Sequence, residues 1–106
     1  MAAMATILVR VTRADIDEGW RQSCRRCPVA LALLRATGLE WHADLDDLRL
    51  IGVPWEDRDR RPVRTPERVR DWMNRFDFCK SRRSQRPFRF TVNMPLDMLL
   101  AVSVRG

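Results

Sequence analysis

The chain has 106 residues, 45% apolar and 32% charged, which allows one domain with a small core and leaves no room for a second. That balance excludes a wholly disordered chain, a collagen-like repeat and a disulfide-dense scaffold. A net charge of +6, carried by 20 basic residues of which all but Lys80 are arginine, favours acidic or polyanionic partners.

Thr6 to Val11 alternates, with Ile7, Val9 and Val11 on one face and Leu8 and Arg10 on the other, the period of a half-buried strand. Met1 to Ala5 before it is expected to be a flexible extension. Thr12 can cap a short helix over Arg13 to Glu18, with Asp15 near its start and Gly19 as a left-handed stop. Cys27 and Pro28 open a second helix, apolar nearly all round through Val29, Ala30, Leu31, Leu33 and Leu34, which Gly38 ends. Leu39 to Asp44 and Leu48 to Val53 read as a hairpin across an acidic turn at Asp46 and Asp47.

The stretch 54–65, between Pro54 and Pro66, carries a dense charge run and Pro62, so an exposed loop is expected there. Thr65, Pro66 and Glu67 form a helix start, followed by Val69, Trp72, Met73 and Phe76 on one apolar face. A basic loop from Lys80 leads into a strand over Phe88 to Asn93, and Asn93 and Pro95 are read as the start of a short last helix. The predicted order is strand, helix, strand, strand, helix, strand. An α+β two-layer sandwich follows, an antiparallel sheet with two main helices on one face. The order is that of the ferredoxin-like β-α-β-β-α-β fold, and a two-layer sheet of another topology gives the same string.

No P-loop, G-x-G-x-x-G or G-x-S-x-G pattern is present, so a non-catalytic protein without a cofactor is expected. The longest apolar run, Pro28 to Leu34, is far short of the roughly 20 residues that span a bilayer, and the first residues lack the pattern of a secretory signal. A cytoplasmic protein with no membrane partner follows. In a ferredoxin-like order Arg10, Arg49 and Arg89 would share the sheet face away from the helices, with Leu8, Ile51 and Thr91 between them. Such a face suits nucleic acid, an acidic host protein or a second copy of the chain. Lys80, Arg82, Arg83 and Arg86 form a second basic group suited to phosphate. Phe88 and Phe90 are expected to face inward, which disfavours base stacking on the sheet.

The alternative reading rests on Cys24 and Cys27, a C-x-x-C pair at a helix start, where unpaired backbone N–H groups favour a thiolate. A thiol-redox site is one version, although the pair follows a helical turn and not a strand. A zinc site is the other, with Cys24, Cys27, Cys79 and His42 as ligands, although the second pair is widely spaced. The favoured reading leaves the cysteines packed and metal-free, and takes Asp44, Asp46 and Asp47, which lack an EF-hand pattern, as ordinary turn residues.

The segment Thr12, Asp15, Ile16, Gly19, then Cys24, Cys27 and the run Pro28 to Leu33 resembles small uncharacterised bacteriophage and prophage accessory proteins with a C-x-x-C-P-V-A-L-A-L helix start. The resemblance covers about the first third, with weaker likeness at Arg75 to Asp77 and Pro87 to Phe90. It implies an accessory protein that acts in an infected bacterial cell by binding host machinery, and it carries over no catalytic residue.

Overall fold

The computed structural model describes residues 4–51 and 63–95. Of the loop expected over 54–65, residues 54–62 lie outside them, as do residues 52–53 of the strand expected to end at Val53, the helix expected beyond Pro95 and residues 1–3. The class is α+β, with helices and two antiparallel sheets around one core.

Strand β1 (Met4–Val11) pairs antiparallel with β5 (Phe88–Pro95), so Val9 faces Phe90, Ile7 faces Val92 and Ala5 faces Met94 across the ladder. Period-2 alternation turns Val9, Val11, Phe90, Val92 and Met94 into the core. Met4 and Ala5 belong to this ladder and not to a flexible extension, and β5 runs on through Pro95, where a helix start was expected. Helix α1 (Arg13–Glu18) is opened by a capping box in which the Thr12 hydroxyl accepts from the Asp15 N–H while the Asp15 carboxylate accepts from the Thr12 N–H.

Gly19 does end α1, but in an extended conformation at φ −68°, not a left-handed one. Its missing side chain makes space instead, because a Cβ there would lie 2.5 Å from Pro28 Cδ and 2.7 Å from the Asp15 carbonyl. Gly19→Ala should therefore lower stability by about 1–3 kcal/mol through overpacking, read as a lower urea midpoint at unchanged slope. A loss below about 0.5 kcal/mol would show that the approach of α1 to Pro28 is not fixed.

Helix α2 (Pro28–Thr37) starts as its sequence dictates, with Cys27 Sγ accepting from the Ala30 N–H and Pro28 in the first turn. It ends at Gly38, which is left-handed at φ 75°. Val29, Ala30, Ala32 and Leu33 are buried, whereas Leu34 is exposed, so the helix is less completely covered than its composition implied. Thr37 closes its last turn by donating to the Leu33 carbonyl and accepting from the Trp41 indole N–H, which satisfies a buried tryptophan.

The second sheet contains β2 (Trp41–Ala43), β3 (Asp47–Leu50) and β4 (Val63–Arg64), in that order. The expected hairpin forms, with Trp41, Ala43 and Leu48 inward, but its strands are shorter than the alternation implied and Asp47, expected in the turn, opens β3. The single ferredoxin-like sheet does not form. It would need the second edge of β3 to receive β1, and that edge is taken by Val63–Arg64, residues expected to be loop. Thr65 does not cap the next helix but donates to the Asp44 carbonyl, tying the chain back to the hairpin. Helix α3 (Glu67–Phe78) then buries Val69, Trp72, Met73 and Phe76, the face its spacing predicts. Trp72, Phe76, Phe88 and Phe90 form an aromatic chain, with ring centroids 4.9–5.8 Å apart, that joins α3 to β5.

Candidate functional site

The uncovered face of the β1–β5 ribbon follows from the alternation that fills the core. Thr6, Leu8 and Arg10 of β1 stand opposite Asn93, Thr91 and Arg89 of β5, all exposed. Thr6 and Asn93 are hydrogen-bonded at 2.7 Å, and Leu8 is 43% exposed. Arg10 and Arg89 are direct cross-strand partners, and among the described residues neither guanidinium has an ion-pair partner. Phe88 and Phe90 turn inward as expected, so no aromatic ring lies on the outer face among the described residues of the ribbon.

Arg49 does not join them. It sits on β3 of the other sheet, opposite His42, and its guanidinium is held by Asp47 at 3.0 Å. Ile51 likewise lies beyond the end of β3. The three-arginine stripe assumed that β1 and β3 were sheet neighbours, and β4 prevents that.

The second basic group divides as well. A 3-10 turn over Arg82–Ser84 leaves Lys80, Arg83 and Arg86 exposed. Arg82 is committed inward: its guanidinium donates to the carbonyls of Ile16, Asp17 and Gly19 at the end of α1 and stacks 5.5 Å from the Phe76 ring centroid. It supplies the donors that the last turn of α1 lacks. Arg13 makes the reciprocal tie, donating to the carbonyls of Arg82 and Gln85. In sequence Arg82 reads as one of four basic residues suited to phosphate, and its fixed partners are instead carbonyls distant in the chain.

All three cysteines are free thiols. Burial pushes the Cys27 thiol up to about 11, against the pull of the Ala30 and Val29 N–H groups, so it is the reverse of an activated thiolate. The Cys79 thiol donates to the Phe76 carbonyl at the end of α3. Neither belongs to the group of potential metal ligands that the fold assembles. That group is Cys24, His42 and Asp44, whose donor atoms lie within 4.8 Å of one another. Of the four zinc ligands considered from sequence, Cys24 and His42 come together, while Cys27 and Cys79 are replaced by Asp44. The available signal was the i, i+2 spacing of His42 and Asp44, although only His42 lies within β2 and Asp44 follows its end.

No protein-family model, curated protein or solved structure matches the chain. Among the described residues no helix is long and apolar enough to cross a membrane.

Proposed function

We propose that the protein is a non-catalytic binding domain that engages an acidic partner through the outer face of the β1–β5 ribbon, with Lys80, Arg83 and Arg86 as flanking contacts. The Arg10–Arg89 pair carries this reading. Like charges directly opposite on a ladder are destabilising by about 0.2–1 kcal/mol, and an acidic partner removes that repulsion when it binds. The absence of an aromatic on the described ribbon face favours phosphate contacts over base stacking, so duplex nucleic acid is the first partner class. Exposed Leu8 beside the pair favours the second, an acidic protein surface with an apolar anchor. The resemblance to phage accessory proteins supports a partner from an infected bacterial cell, and three free thiols support a reducing cytoplasm.

The test is a titration of the full chain with short duplex DNA across salt concentrations, followed by fluorescence anisotropy. Affinity should fall linearly on a log–log plot against salt. The double variant Arg10→Thr, Arg89→Thr should bind more weakly, with a salt slope lower by about 2, while its stability stays equal or rises by up to about 1 kcal/mol. Binding that is unchanged in the folded double variant removes the ribbon from the interface. If duplex DNA does not bind at all, a nuclease-treated pull-down that depends on Arg10 and Arg89 assigns the face to protein, either another chain or a second copy of this one.

A further inference from the structure

We propose that Cys24, His42 and Asp44 bind one zinc ion, through the Cys24 sulfur, an imidazole nitrogen of His42 and a carboxylate oxygen of Asp44, with water in the fourth position. The ligand types suit it: thiolate, imidazole and carboxylate are the three protein donors of zinc, and three of them plus water complete a tetrahedron. A sulfur donor disfavours magnesium and calcium, which take oxygen.

The backbone that carries the residues is held in place before any ion arrives. His42 lies on β2 and Asp44 just past its end, where the Asp44 N–H donates to the Asp47 carbonyl and the Asp44 carbonyl accepts from the Thr65 hydroxyl. The loop bearing Cys24 is fastened to the same strand by the Ala43 N–H, which donates to the Cys24 carbonyl at 2.7 Å. Its other side is fixed where the Gln22 N–H donates to Asp77 and the Trp20 N–H donates to the Arg26 carbonyl. Cys24 and Asp44 line one cavity, and His42 and Asp44 line its neighbour, so Asp44 stands between the other two ligands. Zinc ligands lie about 3.5 Å apart, and the half-exposed Cys24 and exposed Asp44 can close to that from within 4.8 Å by side-chain rotation.

A second observation is independent of the cluster. His42 Nδ1 is shut away from solvent and, among the described residues, has no hydrogen-bond partner. A buried polar atom without a partner calls for one, and zinc ligation through Nδ1 would supply it without needing a donor hydrogen. The ion would clamp the 19–27 loop to the three-stranded sheet, a different sheet from the one that carries Arg10 and Arg89.

The experiment uses tag-free full-length protein, stripped with chelator, dialysed and titrated with cobalt(II) and zinc(II). Saturation at one equivalent is expected, with a thiolate-to-cobalt charge-transfer band that zinc abolishes and magnesium does not. His42 is the one histidine of the chain, so its ring resonances should shift on zinc addition. Cys24→Ser should remove the band, His42→Ala and Asp44→Ala should weaken binding at least about 10-fold, and Cys79→Ser should leave it intact. Circular dichroism confirms that each variant is folded, and the histidine shift in unmodified protein needs no variant. The absence of a charge-transfer band, an unmoved His42 resonance, or full binding by folded Cys24→Ser would overturn the site.

Discussion

Phe76→Ala should be among the most damaging substitutions in the domain, lowering unfolding free energy by about 3–5 kcal/mol. The side chain is 1% exposed on α3, so its removal leaves a cavity where neighbouring groups can collapse only in part. It stacks on Trp72 with rings 5° from parallel, and Trp72 in turn contacts Phe88 of β5. The guanidinium of Arg82 lies 5.5 Å from its centroid and that of Arg21 5.9 Å, so the ring also receives two cations. Each is an interaction of about 0.5–1 kcal/mol where solvent is near. Since domains of this size have roughly 5–15 kcal/mol in total, the variant should be a marginal fold. Phe76→Leu keeps most of the apolar volume and loses the cation contacts, so it should cost about half as much. The check is urea unfolding of both, by tryptophan fluorescence and far-UV circular dichroism. A Phe76→Ala cost under about 1 kcal/mol would mean that α3 is held by something other than this aromatic chain.

What could be read in the sequence was local, and what could not was decided between distant residues. The apolar spacing of Val69, Trp72, Met73 and Phe76 specifies a helix face by itself, and Cys27, Pro28 and Gly38 mark the two ends of α2. The α+β class follows from such patterns. The sheet topology does not, because the edge of β3 had two candidate occupants. The one present, Val63–Arg64, is two residues long in a proline-flanked stretch with no alternation to reveal it. Gly19 was recognisable as a helix stop, but its reason lies in the ring of Pro28, nine positions on. Arg82 and Arg83 are neighbours of the same chemistry, yet one lies beneath the end of α1 and the other in solvent. The candidate metal group was half visible, since His42 on β2 and Asp44 just past its end are two residues apart. Cys24 reaches them through a single backbone hydrogen bond from Ala43.

Asp15→Asn should lower stability at neutral pH by about 2–3 kcal/mol, and the loss should fade in acid. The carboxylate is nearly buried, while Arg35 is about half exposed, so the cost falls below that of breaking a fully buried pair. Arg35 reaches Asp15 with two nitrogens, each at 2.7 Å, and donates from one of them to the Arg10 carbonyl as well. One carboxylate thus closes the capping box of α1 and fastens it to α2 and β1. Burial pushes the Asp15 carboxyl up, but the hydrogen bond from Arg35, those from Thr12 and the Arg35 charge outweigh it, and its pKa lies below the usual value. The sign follows: a carboxyl lowered on folding contributes fully above its unfolded pKa, about 3.9, and loses that contribution as pH falls through the folded value. Unfolding curves of wild type and Asp15→Asn should be well separated at pH 7 and converge below about pH 4. Arg35→Ala, combined with Asp15→Asn in a double-mutant cycle, should show coupling of about 1–2 kcal/mol. If the two unfolding curves keep a constant separation down to the acid transition, the charge of Asp15 contributes nothing. Its effect would then belong to the cap geometry alone.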